Sequence, residues 1–254
     1  ITGGSTGIGF ALGKYLASKG NEIVLTAESE GQREVVSDKI TGDQRIKCVK
    51  LDITYRQDRE KLKTLEYDVL ICHAGIGMTG SIVNMPLDKI RTLFEVNVFS
   101  TIACMKIGLK KMIERDRGTI VVTSSLMGEM PYPFFGLYGA TKASLTMIAT
   151  ALRKELKAAD SNVKIKLIQP GSYHTGFNQK MIQSKLAWTD ENSGWDLEKE
   201  QKKEHMLFRI MEKKNLAPIV YKMGQAALSK DDKLRYRSPL IQVIGIKLYQ
   251  ILFR

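Results

Sequence analysis

Thr2-Gly3-Gly4-Ser5-Thr6-Gly7-Ile8-Gly9 decides the fold, because it stands between a strand end and a helix start. Ile1-Thr2-Gly3 reads as the tail of a strand, and an amphipathic stretch follows over 7–19. Glycines there permit a tight turn, let the backbone approach a pyrophosphate, and let the helix pack close to the sheet. The free amides and the positive end of the helix dipole can then hold phosphates. A glycine cluster alone also suits a plain strand–helix turn; the strand–loop–helix context is what predicts nucleotide binding. A phosphate-loop NTPase is excluded, since Gly13-Lys14 is followed by Tyr15 and lacks a glycine at the required spacing.

Outward from this loop, β-branched runs alternate with longer helical patterns. Strands are predicted at Glu22–Thr26, Ile46–Leu51, Asp68–Cys72, Gly118–Ser124 and Val163–Gln169, with amphipathic stretches near 29–41, 56–65, 86–115 and 136–160. The pattern implies right-handed βαβ units and a mostly parallel sheet covered by helices on both faces, a doubly wound α/β domain spanning 1–254. The strand ending at Gly3 would be central in such a sheet. Several apolar residues upstream of Ile1 are therefore expected in the native chain.

Composition supports an ordinary globular protein: 254 residues, 43% hydrophobic, 26% charged, 21 Gly and only 6 Pro. Disorder and collagen-like repeats are excluded on those figures. Cys48, Cys72 and Cys104 are odd in number and without metal-ligand spacing, which argues against a disulfide scaffold and for a reducing, cytoplasmic setting. No apolar run is read as spanning a bilayer, and no signal peptide is read at the start. The formal charge of +12 reads as solvated surface, because lysines mix with glutamates in runs such as Glu198–Glu204 without aromatic interleaving. No nucleic-acid partner and no metal site is expected.

The segment Thr119–Ser125 ends in hydroxyls at the carboxyl end of a strand, the edge where such sheets bind ligands. Tyr138-Gly-Ala-Thr-Lys142 follows at a helix start, where residues i and i+4 share a face. An ammonium beside a phenol favours the phenolate, so the Tyr138 pKa is expected well below its usual value of about 10. A tyrosine so tuned suits proton exchange with an alcohol oxygen. A Tyr–Lys pair alone is common surface chemistry; its conjunction with the glycine loop and Ser125 gives it weight.

Together these residues resemble the short-chain dehydrogenases/reductases, over almost the whole chain up to about Gly171. Thr2-Gly3-x3-Gly7-Ile8-Gly9 is similar to the family's cofactor turn, and Leu51-Asp52-Ile53-Thr54 to its acidic position beside the adenine. His73-Ala74-Gly75 stands where the family has Asn-Ala-Gly, Asn97 matches its helix asparagine, and Pro170-Gly171 with Thr175 matches the stretch beside the nicotinamide. The resemblance implies a Rossmann fold and hydride transfer between nicotinamide C4 and a carbonyl or secondary-alcohol carbon. Tyr138 would be the acid or base and Ser125 would bond the substrate oxygen. Lys142 would lower the Tyr138 pKa and hold the ribose, and Asn97 would order a water in a proton relay. Gly3, Ser5, Thr6, Gly7, Ile8, Gly9, Glu28, Asp52, Ile53, Ala74, Gly75, Tyr138, Lys142, Pro170, Gly171 and Thr175 would contact the cofactor.

The strand ending Thr26-Ala27-Glu28-Ser29 carries neither the arginine common in NADP-preferring relatives at Glu28 nor the Asp common in NAD-preferring ones at Ala27. A Glu28 carboxylate would accept ribose hydroxyls and repel a 2′-phosphate, which favours NAD over NADP, unless Glu28 points to solvent. Beyond Gly171 the pattern loosens into a substrate-lid and C-terminal helical region at about 172–254. Tyr173, Phe177, Met181, Trp188, Trp195, Met206 and Phe208, with Pro131–Phe135, suggest either a greasy pocket or ordinary helix core. The apolar tail 238–254 reads as packing over the pocket or against another subunit, in preference to lying on a membrane surface. The expected partners are a lipophilic small molecule and further copies of the chain in a dimer or tetramer. A 3-oxoacyl carrier-protein reductase and a cofactor-sensing regulator without turnover are the alternatives.

Overall fold

Ile1 and Thr2 run between two parallel strands: the Thr26 amide donates to the Ile1 carbonyl (3.0 Å) and the Thr2 amide to the Ile71 carbonyl (2.9 Å). In the computed structural model, which describes residues 1–188 and 196–252, this pair links two sheets. On one side lie β1 (Ile23–Ala27) and β2 (Ile46–Lys50); on the other lie β3 (Val69–Cys72), β4 (Thr119–Thr123), β5 (Lys164–Pro170) and β6 (Arg235–Ser238). All pairings are parallel, with Ile23 opposite Ile46, Val69 opposite Thr119 and Ile120 opposite Ile165. The spatial order is thus β2-β1-(Ile1-Thr2)-β3-β4-β5-β6. It reverses between Thr2 and β3, and a ligand crevice opens at such a switch point, outside the carboxyl ends of the strands.

The strands are apolar because both faces are covered. One face takes α1 (Gly7–Ser18) and α2 (Glu30–Lys39), together with α9 (Ala217–Leu228), whose Ile219 and Met223 share a buried cluster with Leu12 and Leu16. The other takes α3 (Arg56–Thr64), α5 (Thr101–Glu114) and α6 (Gly136–Ala158), with Leu62, Met105, Met112 and Leu145 buried against Leu70, Ile120 and Val122. α4 (Leu87–Phe94), a π-helical turn at Glu95–Ser100 and α5 form one continuous helix. Contrary to the sequence expectation, that helix is long and apolar enough to cross a membrane by length and composition. Its apolar residues are instead spent on the core, where Leu93, Val98, Cys104 and Met112 are buried.

The predicted strands and helices appear with ends displaced by one or two residues. α7 (Phe177–Gln183), α8 (Leu197–Met211), α9, β6 and α10 (Leu240–Leu252) lie in the stretch read as lid and tail. Two of these, α9 and β6, complete the layers of the sheet. β6 escaped sequence reading because Arg235-Tyr-Arg-Ser is an edge strand with no apolar run. Trp195 and the last two residues of the tail lie outside the described residues.

Candidate active site

The crevice is built first by Thr2, whose Oγ1 accepts the amides of His73 (2.9 Å) and Ala74 (3.1 Å). Gly3, at φ +66°, could not carry a side chain, since a Cβ would stand 2.7 Å from the Ala74 Cα. Gly7, at φ +54°, packs against Thr175. Gly9 stays off the cavity wall: a Cβ there would lie 2.4 Å from the Gly3 carbonyl oxygen, so this glycine lets α1 close on the loop. His73 bonds Thr123 Oγ1 through Nδ1 (3.2 Å), tying β3 to β4 at the switch point, and burial lowers its pKa to about 4. At the far end Ser5 Oγ donates to Gln32 Oε1 (3.0 Å), which also accepts the Glu28 amide (3.3 Å). Ala27 is fully buried, so Glu28 is the residue presented there. Asp52 Oδ1 accepts both the amide and the hydroxyl of Thr54 (2.8 and 2.7 Å), which shapes the turn after β2.

β4, the turn after it and α6 bring the candidate groups Ser125, Tyr138 and Lys142 together. Ser125, two residues beyond β4, donates to the Pro170 carbonyl (3.3 Å), accepts the Met127 amide (3.1 Å), and stands within hydrogen-bonding reach of the Tyr138 phenol. Ser124 Oγ donates to the Lys142 carbonyl (2.7 Å), and Gly128 and Gly139 let the turn at Leu126–Gly128 seat directly on α6. Lys142 Nζ donates to the Thr123 carbonyl (3.3 Å) and lies 5.8 Å from the Tyr138 ring centroid. Asn97 also stays off the wall. Its Oδ1 accepts the Ile76 amide (2.8 Å), and its Nδ2 donates to the Ile76 carbonyl (2.9 Å) and Thr141 Oγ1 (3.1 Å). That side chain is a strut between the 74–77 segment and α6, a positioning role.

The electrostatics correct the sequence expectation for the phenol. Burial, the larger effect, pushes Tyr138 up to about 12, with the Ser125 hydrogen bond opposing. Burial likewise lowers Lys142 to about 8. Both groups share a helix face as predicted, yet each loses solvation there, and the ammonium is aimed past the ring at the Thr123 carbonyl. Desolvation outweighs a charge that is not directed at the phenol oxygen.

These groups line one cavity of about 1070 Å³, which also takes in the Gly3–Ile8 loop, Glu28, Asp52, Ile53, Ala74, Gly75, Pro170, Gly171 and Thr175. A family profile for short chain dehydrogenases matches residues 1–186. The chain belongs to the short chain dehydrogenases. It is 29% identical over 200 residues to the vibriobactin-specific 2,3-dihydro-2,3-dihydroxybenzoate dehydrogenase of Vibrio cholerae, covering 75% of this chain and 73% of that protein. It is 30% identical to the mouse dehydrogenase/reductase SDR family member 7B, covering 72% of this chain but only 59% of that protein. A short chain dehydrogenase/reductase from Burkholderia phymatum, solved in complex with NAD, superposes at TM-score 0.81 over 98% of this chain and 90% of that one; at 19% identity this speaks for the fold.

In this short chain dehydrogenase part of the wall is apolar: Met127, Phe177, Met181, Phe208 and Ile246 line the cavity. Gln242 of α10 holds that side in place, accepting the Ser172 amide (2.8 Å) and donating to the Met211 carbonyl (2.9 Å). Gln32, Thr123, Ser124, Thr141 and Gln242 are site residues that the sequence reading missed. Thr123, Ser124 and Thr141 sit inside motifs already noted, so adjacency was an available signal; Gln242, far along the chain, offered none.

Proposed function

We propose that this chain is a nicotinamide-dependent oxidoreductase that interconverts a carbonyl and a secondary alcohol on a lipophilic small molecule. The observation that carries the reading is the convergence of Ser125, Tyr138 and Lys142 on the cavity that the glycine loop also lines. The residues suit a dinucleotide: Gly3 and Gly7 form a cradle that any Cβ would crowd, and the α1 amides point from a helix N-terminus. Ser5, Thr6 and Ile8 would hold the pyrophosphate end, Asp52 and Ile53 the adenine, and Pro170, Gly171 and Thr175 the other ring. When bound, the cofactor supplies or accepts the hydride. Tyr138, protonated across the physiological range, gives its proton to the carbonyl oxygen in reduction, while the Ser125 hydroxyl bonds that oxygen as charge develops. Lys142 supplies the positive charge beside the phenol and donors for the ribose.

NAD is the favoured cofactor. Glu28 and Asp52 bring carboxylates to the adenine end of the wall, where a 2′-phosphate would need a cation. The Met and aromatic lining supports a lipophilic substrate. A homo-oligomer belongs to the same reading, supported by Phe99, Ile113 and Met147, apolar side chains at least half exposed. A cytoplasmic location is supported by three free cysteines. A panel of aldehydes, ketones, steroids and acyl thioesters, followed at the nicotinamide absorbance with each cofactor, tests the proposal. Turnover of none of them with either cofactor would overturn it.

A further inference from the structure

α10 is built inside out. Its glutamines face the protein: Gln242 bonds Ser172 and Met211, and Gln250 donates to the Glu129 carbonyl (2.9 Å). Val243 and Ile246 pack on Leu126 from the same side. Leu240, Ile244, Leu248 and Ile251, spaced i, i+4, i+8 and i+11, form a stripe facing outward and are between 49% and 74% exposed. A helix apolar on both faces implies cover on both. Its described residues, Leu240–Leu252, number 13, against the about 20 that a bilayer span needs. The Gln242 bond to Met211 places the end of α8 beside it. There Met206, Ile210 and Met211 are exposed, and Ile210, Met211 and Ile241 also line the cavity. The cavity mouth therefore opens within this apolar rim. Around the end of α8 and along α10 the exposed charge is of one sign. Lys180, Arg209, Lys213, Lys214 and Lys247 are exposed, whereas Glu212 is buried and bonded to His174, Asn178 and Gln179.

We propose that the α8–α10 rim docks on an anionic lipid bilayer, with the stripe of α10 sunk into the headgroup boundary and the cavity mouth facing the lipid. Apolar side chains ringed by cations, on a chain of net charge +12, are the combination that binds such a surface. The substrate class that follows is a membrane-resident carbonyl or alcohol entering from the bilayer, and this part rests on the oxidoreductase reading above.

Flotation of the full chain with vesicles of phosphatidylcholine alone, or mixed with phosphatidylglycerol, tests the docking without any need for turnover. The chain should float with the anionic vesicles and be released by high salt. Ile244→Glu/Leu248→Glu should cut the bound fraction by roughly tenfold or more while unfolding at the wild-type temperature. Should that variant unfold early, the dependence of the wild-type chain on lipid charge and salt decides alone. Failure of the wild type to float with either vesicle, or flotation that ignores lipid charge and salt, would overturn the proposal. So would a folded double variant that floats as well as wild type. A lipid-free oligomer that the double substitution dissociates, seen by sedimentation, would assign the face to a second copy of the chain and equally overturn it. A chain that floats as expected but turns over no carbonyl would leave the docking standing and sink the oxidoreductase reading instead.

Discussion

Lys142 carries its ammonium over the ring of Tyr138, 5.8 Å from the centroid, and gives a hydrogen bond to the Thr123 carbonyl and none to the phenol. The pair is thus joined by a shared, desolvated wall, which raises the tyrosine and lowers the lysine. Tyr138→Phe keeps the ring and removes the proton. Turnover should fall on the order of 100- to 10,000-fold, with cofactor affinity unchanged by fluorescence titration. A variant retaining a tenth of wild-type turnover would exclude Tyr138 as the acid.

Lys142→Met should show in two pH-dependent measurements. With a native pKa near 8 against about 10.4 unfolded, the folded chain releases this proton first. The unfolded state then binds more protons between those values, so this group makes wild-type stability rise with pH across that window. The Met variant should lose the rise, and its carbonyl reduction should lose the decline that begins near pH 8 as the ammonium is discharged. Cofactor binding should weaken roughly ten- to hundredfold, the worth of charged hydrogen bonds.

Glu28→Arg should raise the ratio of kcat/KM for NADP over NAD by about tenfold or more, because a carboxylate that repels a 2′-phosphate becomes a bidentate donor to it. An unchanged ratio would mean that Glu28 faces away from the ribose.

Gly75→Ala tests how tightly the site is assembled. A Cβ there would stand 3.0 Å from Asn97 Oδ1 and 3.4 Å from Lys142 Nζ. Turnover should drop roughly ten- to hundredfold, as small misplacements near the reacting groups do, with a small change in Tm. Wild-type kinetics in this variant would show that the strut from Asn97 has slack.

His73→Asn concerns acid stability. The buried imidazole titrates near 4 in the native state, so below about 6.5 the unfolded chain binds the extra proton. Wild-type stability should therefore fall as pH drops from 6.5 toward 4. The Asn variant should be more stable than wild type at pH 5, relative to pH 7.5, by on the order of 1 kcal/mol, measured by urea unfolding at both values. An identical pH dependence would place the proton elsewhere.

The α/β order, the glycine turn and the Ser125–Tyr138–Lys142 set were legible from the sequence, because local spacing dictates them. Strands read as short β-branched runs, a glycine cluster announces a turn, and i,i+4 spacing puts phenol and ammonium on one face. Much of the rest was decided by tertiary structure, since it depends on burial and on contacts between distant segments. Desolvation set the titration of Tyr138 and Lys142 against the sequence expectation, which counted a charge but not the loss of water around it. Packing gave Gly9 and Asn97 their places behind the wall, and Gln242 reached across the chain to close it. The two-faced character of α10 belongs to the same class. Its sequence is apolar nearly all round, and only docking against Leu126 determined which half is covered and which is left at the cavity mouth.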